Sequence, residues 1–202
     1  MYRVCVFAGS RDGTRPAFLE AARALGTELG WRGLGLVYGG AARGLMTACA
    51  DAALAAGADV TGVLPRTLLS REIAHTGLTE LRIVKNMHER KAVMSALSDA
   101  VVALPGGVGT LDELFEAITW RLLKLHEQPI GLLDAGGYYQ PLLRFLEHAV
   151  TSGLLDAEVV QRLIVRPDAP SLLDALVPAA AQARSAREKQ EDAAAGAAAR
   201  ES

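Results

Sequence analysis

The sequence predicts an α/β fold: a Rossmann-like, doubly wound parallel sheet with helices on both faces. Two observations carry this. Short apolar runs rich in Val, Ile and Leu alternate along the chain with longer stretches of helical period, and strands separated by helices pair in parallel through crossover connections. Half of the 202 residues are hydrophobic, enough to cover both faces of such a sheet within one domain.

Taken in order, Val4 to Ala8 reads as a buried strand that Gly9-Ser10 ends. Pro16 to Leu29 places Phe18, Leu19, Ala22, Leu25 and Leu29 three or four apart, an amphipathic helix with proline in its first turn. Leu34 to Tyr38 is the second strand, closed by Gly39-Gly40. Gly44 to Ala56 is a helix of small residues that Gly57 terminates. Val60 to Leu64 and Leu81 to Val84 read as strands on either side of an irregular stretch, Pro65 to Thr79. Met87 to Leu97 is helical, Ala100 to Leu104 is a fully apolar strand, and a long helix runs from the following glycine-rich turn to about Leu125. Ile130 to Leu133, a helix near Tyr139 to Ser152 and a weak strand at Ile164-Val165 complete the alternation. The domain spans 1–178. From Ala179 the chain is mostly alanine with four basic and four acidic residues, helical in propensity but with little apolar area to bury, and it reads as a disordered tail or frayed helix.

Composition excludes several classes. Lys and Arg number 21 against 23 Asp and Glu, a formal charge of -2 that sets up no field for nucleic acid or an anionic membrane. Cys5 and Cys49 are the only cysteines and both lie in apolar stretches, which fits a reducing, cytoplasmic compartment and no disulfide scaffold. No apolar run reaches the roughly 18 residues of a membrane span, and the N-terminus reaches Gly9-Ser10 too soon for a signal peptide. His75, His88, His126 and His148 have no metal-ligand spacing, so no metal is expected.

In open α/β sheets ligands sit at the carboxyl ends of strands where the strand order reverses. Three glycine-bearing turns lie at strand ends: Gly9-Ser10, Gly39-Gly40 with Gly44, and Pro105-Gly106-Gly107-Val108-Gly109-Thr110. The third lets backbone N–H groups approach an anion, and the helix behind it favours negative charge. It is neither the dinucleotide fingerprint nor a P-loop, and the first turn, Gly9 to Gly13, also lacks the dehydrogenase fingerprint. Thr110 can add a hydroxyl or cap the helix. Asp112, Glu113 and Glu116 follow in the first two turns, with Glu113 and Glu116 on one face. A carboxylate beside a phosphate cradle suits a ribose or a cationic sugar transition state. In Met87-His88-Glu89-Arg90-Lys91, Arg90 and Lys91 form either a solvated face or a phosphate clamp. Ser10 suits an N-cap or a phosphate contact. Glu72 is either a base-edge contact or a solvated glutamate. Ser95 and Ser98 have no nucleophile-elbow context.

Met87 to Lys91 followed by Pro105-Gly106-Gly107-Val108-Gly109-Thr110-Leu111-Asp112-Glu113 resembles the paired signature of the LOG family, cytokinin riboside 5′-monophosphate phosphoribohydrolases long labelled lysine decarboxylases. The resemblance covers Arg3 to Val177. It implies hydrolysis of the N-glycosidic bond of N6-substituted adenosine 5′-monophosphates, with no cofactor. It implies Arg90 and Glu113 as the catalytic pair. Substrate contacts are implied from Glu72, Lys91, the loop from Gly107 to Glu113 (with Leu111 and Asp112) and Thr119; Gly9, Ser10, Gly106 and Glu116 join the candidate set. It also implies a homodimer, for which the side of the long helix around Ile118, Leu122 and Leu125 is the expected contact. The chain departs from the pattern at Ala41, Val108 and Asp112, positions that bear on the purine substituent accepted. A nucleotide-binding or cofactor-carrier protein of the same fold is the alternative, disfavoured because a carrier needs no carboxylate at a ribose. The decarboxylase label fails on chemistry, since nothing here resembles a pyridoxal-binding site.

Overall fold

The computed structural model describes residues 1–69 and 74–198, the last nine of them by backbone alone. Seven parallel strands form one sheet: β1 (Arg3–Phe7), β2 (Gly35–Tyr38), β3 (Val60–Pro65), β4 (Glu80–Val84), β5 (Ala100–Ala103), β6 (Ile130–Leu133) and β7 (Leu163–Arg166). Their spatial order is β4-β3-β2-β1-β5-β6-β7. The winding reverses between β1 and β5, which pair from Val4 with Ala100 to Phe7 with Ala103. The open crevice of a doubly wound sheet is expected at that point.

Seven helices cover the faces: α1 (Pro16–Trp31), α2 (Gly44–Ala55), α3 (Met87–Ala96), α4 (Val108–Leu122), α5 (Gln140–Thr151), α6 (Ala157–Gln161) and α7 (Ala169–Ala198). Strand alternation sorts the core in two. Val4 and Val6 face α1, α2 and α7, where Leu25, Leu29, Leu45 and Leu172 are fully or almost fully buried. Cys5 and Phe7 face the opposite layer, with Met94 of α3, Leu114 of α4 and Leu146 of α5.

All seven expected strands are present, within a residue or two of their expected bounds. The alternation did not show α6 or the start of α7. α6 is only five residues long, too short to display a period. α7 opens with Leu172, Leu173 and Leu176, all completely buried. It continues unbroken past the boundary at 178, burying Ala180 and setting Arg184 over the Tyr2 ring at 5.4 Å. Among the described residues no helix is long and apolar enough to cross a membrane, and no cluster of three or more His, Cys, Asp or Glu could hold a metal ion.

Candidate active site

The loop between β5 and α4 is shaped by close contacts. A side chain on Gly106 would meet the Thr110 hydroxyl at 2.0 Å and the Gly9 amide at 2.9 Å, so only glycine lets the two strand-end loops lie together. The Gly9 amide donates to the Pro105 carbonyl at 3.0 Å, and the Tyr138 hydroxyl donates to the Gly106 carbonyl. Together these loops line a crevice of about 540 Å³ that includes Gly9, Ser10 and the whole run from Pro105 to Thr110. The crevice sits at the reversal of strand order, at the N-terminus of α4. Gly107 is the N-cap there and no side chain caps the helix. The leading amides therefore have no partner within the helix and point toward the crevice.

Thr110 does not cap α4; it stands at the third helical position, 4% exposed, with its hydroxyl packed over Gly106. Ser10 is exposed at the crevice rim. Leu111 is half-buried and packs against the core layer that contains Phe7 and Met94.

Arg90 and Glu113 meet one and a half turns into α4. Arg90 is buried, 7% exposed, and its Nη2 lies 3.8 Å from Glu113 Oε1. That spacing is longer than a bidentate pair, so neither group is spent on the other. Arg90 Nη1 touches Met87 Sδ at 3.6 Å, and among the described residues its buried Nε has no hydrogen-bond partner. Its guanidinium presses against the backbone of Gly39 at the end of β2: a Cβ on Gly39 would stand 1.8 Å from Nη2. Burial raises the Glu113 carboxyl to about 7, with Arg90 and then Lys91 opposing. Neither Arg90 nor Glu113 lines the glycine-rich crevice. Glu113 nevertheless follows Thr110 by only about 4.5 Å along the helix axis, so one nucleotide can span both.

Lys91 is held by two carboxylates, Glu116 at 2.8 Å and Asp112 at 3.2 Å. Burial would lower its affinity for a proton, but the hydrogen bonds to Glu116 and Asp112 leave it above the ordinary lysine value. Glu116 falls in the third turn of α4, one turn beyond its expected place. Thr119 is exposed on α4, its hydroxyl donating to the Phe115 carbonyl at 2.7 Å, and it lines neither the crevice nor the Arg90–Glu113 pair. Glu72 lies outside the described residues. On the expected contact face of α4, Ile118 packs against the core, while Leu122 and Leu125 are exposed together with Phe115 and Leu123. Sequence reasoning missed Gly39 as the wall behind Arg90, although its turn was marked as a strand end. It also missed Tyr138 as the tie on Gly106.

A family model described as "Possible lysine decarboxylase" matches residues 46–176. The chain is 45% identical over 174 residues to the cytokinin riboside 5′-monophosphate phosphoribohydrolase LOG4 of Arabidopsis thaliana, covering 86% of this chain and 81% of that protein. It is 46% identical over 163 residues to the cytokinin riboside 5′-monophosphate phosphoribohydrolase LOG of Oryza sativa subsp. japonica, covering 81% of this chain and 67% of that one. Among solved structures, the molybdenum cofactor carrier protein of Chlamydomonas reinhardtii superposes with a TM-score of 0.68 at 22% identity, over 89% of this chain and 98% of that one, which is a likeness of fold alone. The family model covers well over half of the chain and the named relatives cover most of it at 45–46% identity, and the chain belongs to the LOG family.

Proposed function

We propose that the chain hydrolyses the N-glycosidic bond of adenosine 5′-monophosphates, N6-substituted ones included, releasing the free base and ribose 5-phosphate. The observation that carries this reading is the buried Arg90–Glu113 pair, set just beyond a glycine-rich helix start. The α4 amides take the 5′-phosphate, which brings the ribose alongside Glu113. The bond from C1′ to the base nitrogen breaks with its electron pair leaving on the base. A water oxygen bonds to C1′ and gives one proton to the Glu113 carboxylate, which also offsets the positive charge that develops on the sugar. That proton then passes to the base nitrogen, so the base leaves neutral and the carboxylate is restored. A carboxyl that titrates at about 7 is matched to proton transfer near neutral pH. Arg90 stabilises the ionised carboxylate and holds it in place. The Arabidopsis and rice relatives, named for this reaction, support the assignment.

The working unit in this reading is a homodimer in a reducing, cytoplasmic compartment. It is supported by the apolar side chains that α4 leaves in water, Phe115 at 36% and Leu122 at 53% exposed, and by two buried free cysteines.

The test incubates the protein with AMP and with isopentenyladenosine 5′-monophosphate and quantifies free base by chromatography. Unphosphorylated ribosides and Glu113→Ala serve as controls. Base release from the monophosphates alone, lost in the variant, is the expected result. Binding without release from either nucleotide would replace hydrolysis by carriage.

A further inference from the structure

The far end of α4 holds a charge cluster that the reaction does not use. The helix closes at Leu122 and the chain leaves through Lys124, whose φ of 59° makes it the only non-glycine residue in the left-handed region among those described. The Leu125 amide returns to the Trp120 carbonyl at 2.8 Å, a closing pattern that glycine ordinarily supplies. A lysine is strained in that conformation, where glycine would be free.

Beside it, Arg121 Nη1 donates to the Arg162 carbonyl at 3.4 Å, while Arg121 Nε is buried without a hydrogen-bond partner among the described residues. Burial and the neighbouring Arg162 charge both weaken the hold of Arg121 on its proton, the signature of cations drawn together out of water. From this corner a groove of about 540 Å³ runs to α7. Among the described residues its walls carry Arg121, Lys124, Arg162, Arg184 and Arg187 together with the acids Asp99 and Glu127. Arg184 is held by Glu188 at 3.1 Å and by Asp99 at 3.6 Å, and Glu158, outside the groove, holds Arg162 at 2.6 Å, which leaves Arg121 and Lys124 as cations with no ion pair among the described residues. His126, also in the groove, is kept below the usual imidazole range by burial and by Arg121.

The dipole of α4 favours cations at its C-terminus, which accounts for Arg121 and Lys124. It does not account for Arg162 and Arg187, which come from other elements, or for a lysine placed at a glycine conformation. Like charges gathered in a concave site raise the local concentration of anions, in a chain whose formal charge is -2. We propose that this groove is a second ligand site, taking a small molecule that carries two or more linked phosphates. Guanidinium forks suit phosphate oxygens, and the volume is that of a small-molecule pocket. Ser98 and Asp99 precede β5, Gln128 and Pro129 precede β6, and Arg162 precedes β7. The groove therefore opens at the amino ends of the strands, the edge opposite the glycine-rich crevice.

Calorimetric titration of the whole protein with inorganic pyrophosphate at low salt tests this. Pyrophosphate should bind the wild type, and its affinity should fall at least tenfold in both Arg121→Gln and Lys124→Gly and decline as salt is added. Lys124→Gly removes the cation and relieves the strained backbone, so weakened binding in it cannot come from misfolding. Base release without pyrophosphate should be unchanged in both variants. Equal affinity in all three proteins would assign the binding to the glycine-rich crevice and overturn the proposal, as would no binding to the wild type.

Discussion

At its N-terminus α4 starts from a run of glycines and keeps Asp112, Glu113 and Glu116 a turn or more inside; at its C-terminus it ends on Arg121 and a left-handed Lys124, with Arg162 alongside. Both ends face cavities of similar size, yet they are built by opposite means. Where the helix dipole is positive, backbone amides hold an anion without any charged side chain. The side chains there are free to be acids, and one can sit beside a ribose. Where the dipole is negative, the backbone repels an anion and cationic side chains from three elements must supply the attraction. The first end can therefore do chemistry and the second only bind.

The largest test of that contrast is Glu113→Gln. It should lower kcat on the order of 10²- to 10⁴-fold with little change in KM, while Arg121→Gln at the other end leaves kcat unchanged; equal losses from both would erase the distinction. Next comes Gly39→Ala, whose Cβ would displace the flexible end of Arg90. We expect kcat to fall roughly 10- to 100-fold through lost positioning, with the urea midpoint little moved. Gly106→Ala differs, because its Cβ meets the Gly9 backbone amide as well as Thr110. It should lower stability by about 1–3 kcal/mol.

The pH dependence of stability sharpens the comparison further. Burial raises the folded Glu113 carboxyl to about 7, above its ordinary value of 4.5. The folded state thus binds the proton more tightly, and its stabilising contribution is complete below pH 4.5 and lost as pH rises through 7. Glu113→Gln should be more stable than wild type above pH 7 by at most about 3 kcal/mol, with the gap closing toward pH 4.5 in urea titrations at each pH. The smallest effect is at the far end, where Lys124→Gly should raise stability by about 1 kcal/mol by releasing the left-handed strain, read as a higher urea midpoint.

Much of this was legible in the chain alone. The apolar runs Val4 to Ala8 and Ala100 to Leu104 mark strands because burial on both sheet faces leaves no place for polar residues, and all seven strands are found. The glycine-rich turn is visible because few side chains tolerate such close approach. The start of α7 was readable in principle, since Leu172, Leu173 and Leu176 have helical spacing, whereas the five residues of α6 hold no period.

By itself the sequence determined the alternation of strand and helix, the glycine-rich helix start and the identity of Arg90 and Glu113 as candidates, because propensity, period and motif act between near neighbours along the chain. Only the tertiary structure decided that Arg90 on α3 presses on Gly39 just after β2 while facing Glu113 on α4, that Lys91 is held by Glu116 and Asp112, and that Arg162 lies against Arg121 at the end of α4. The strand order brings those segments together, and it is set by which apolar faces bury one another best, a property of the whole sheet that no local stretch contains.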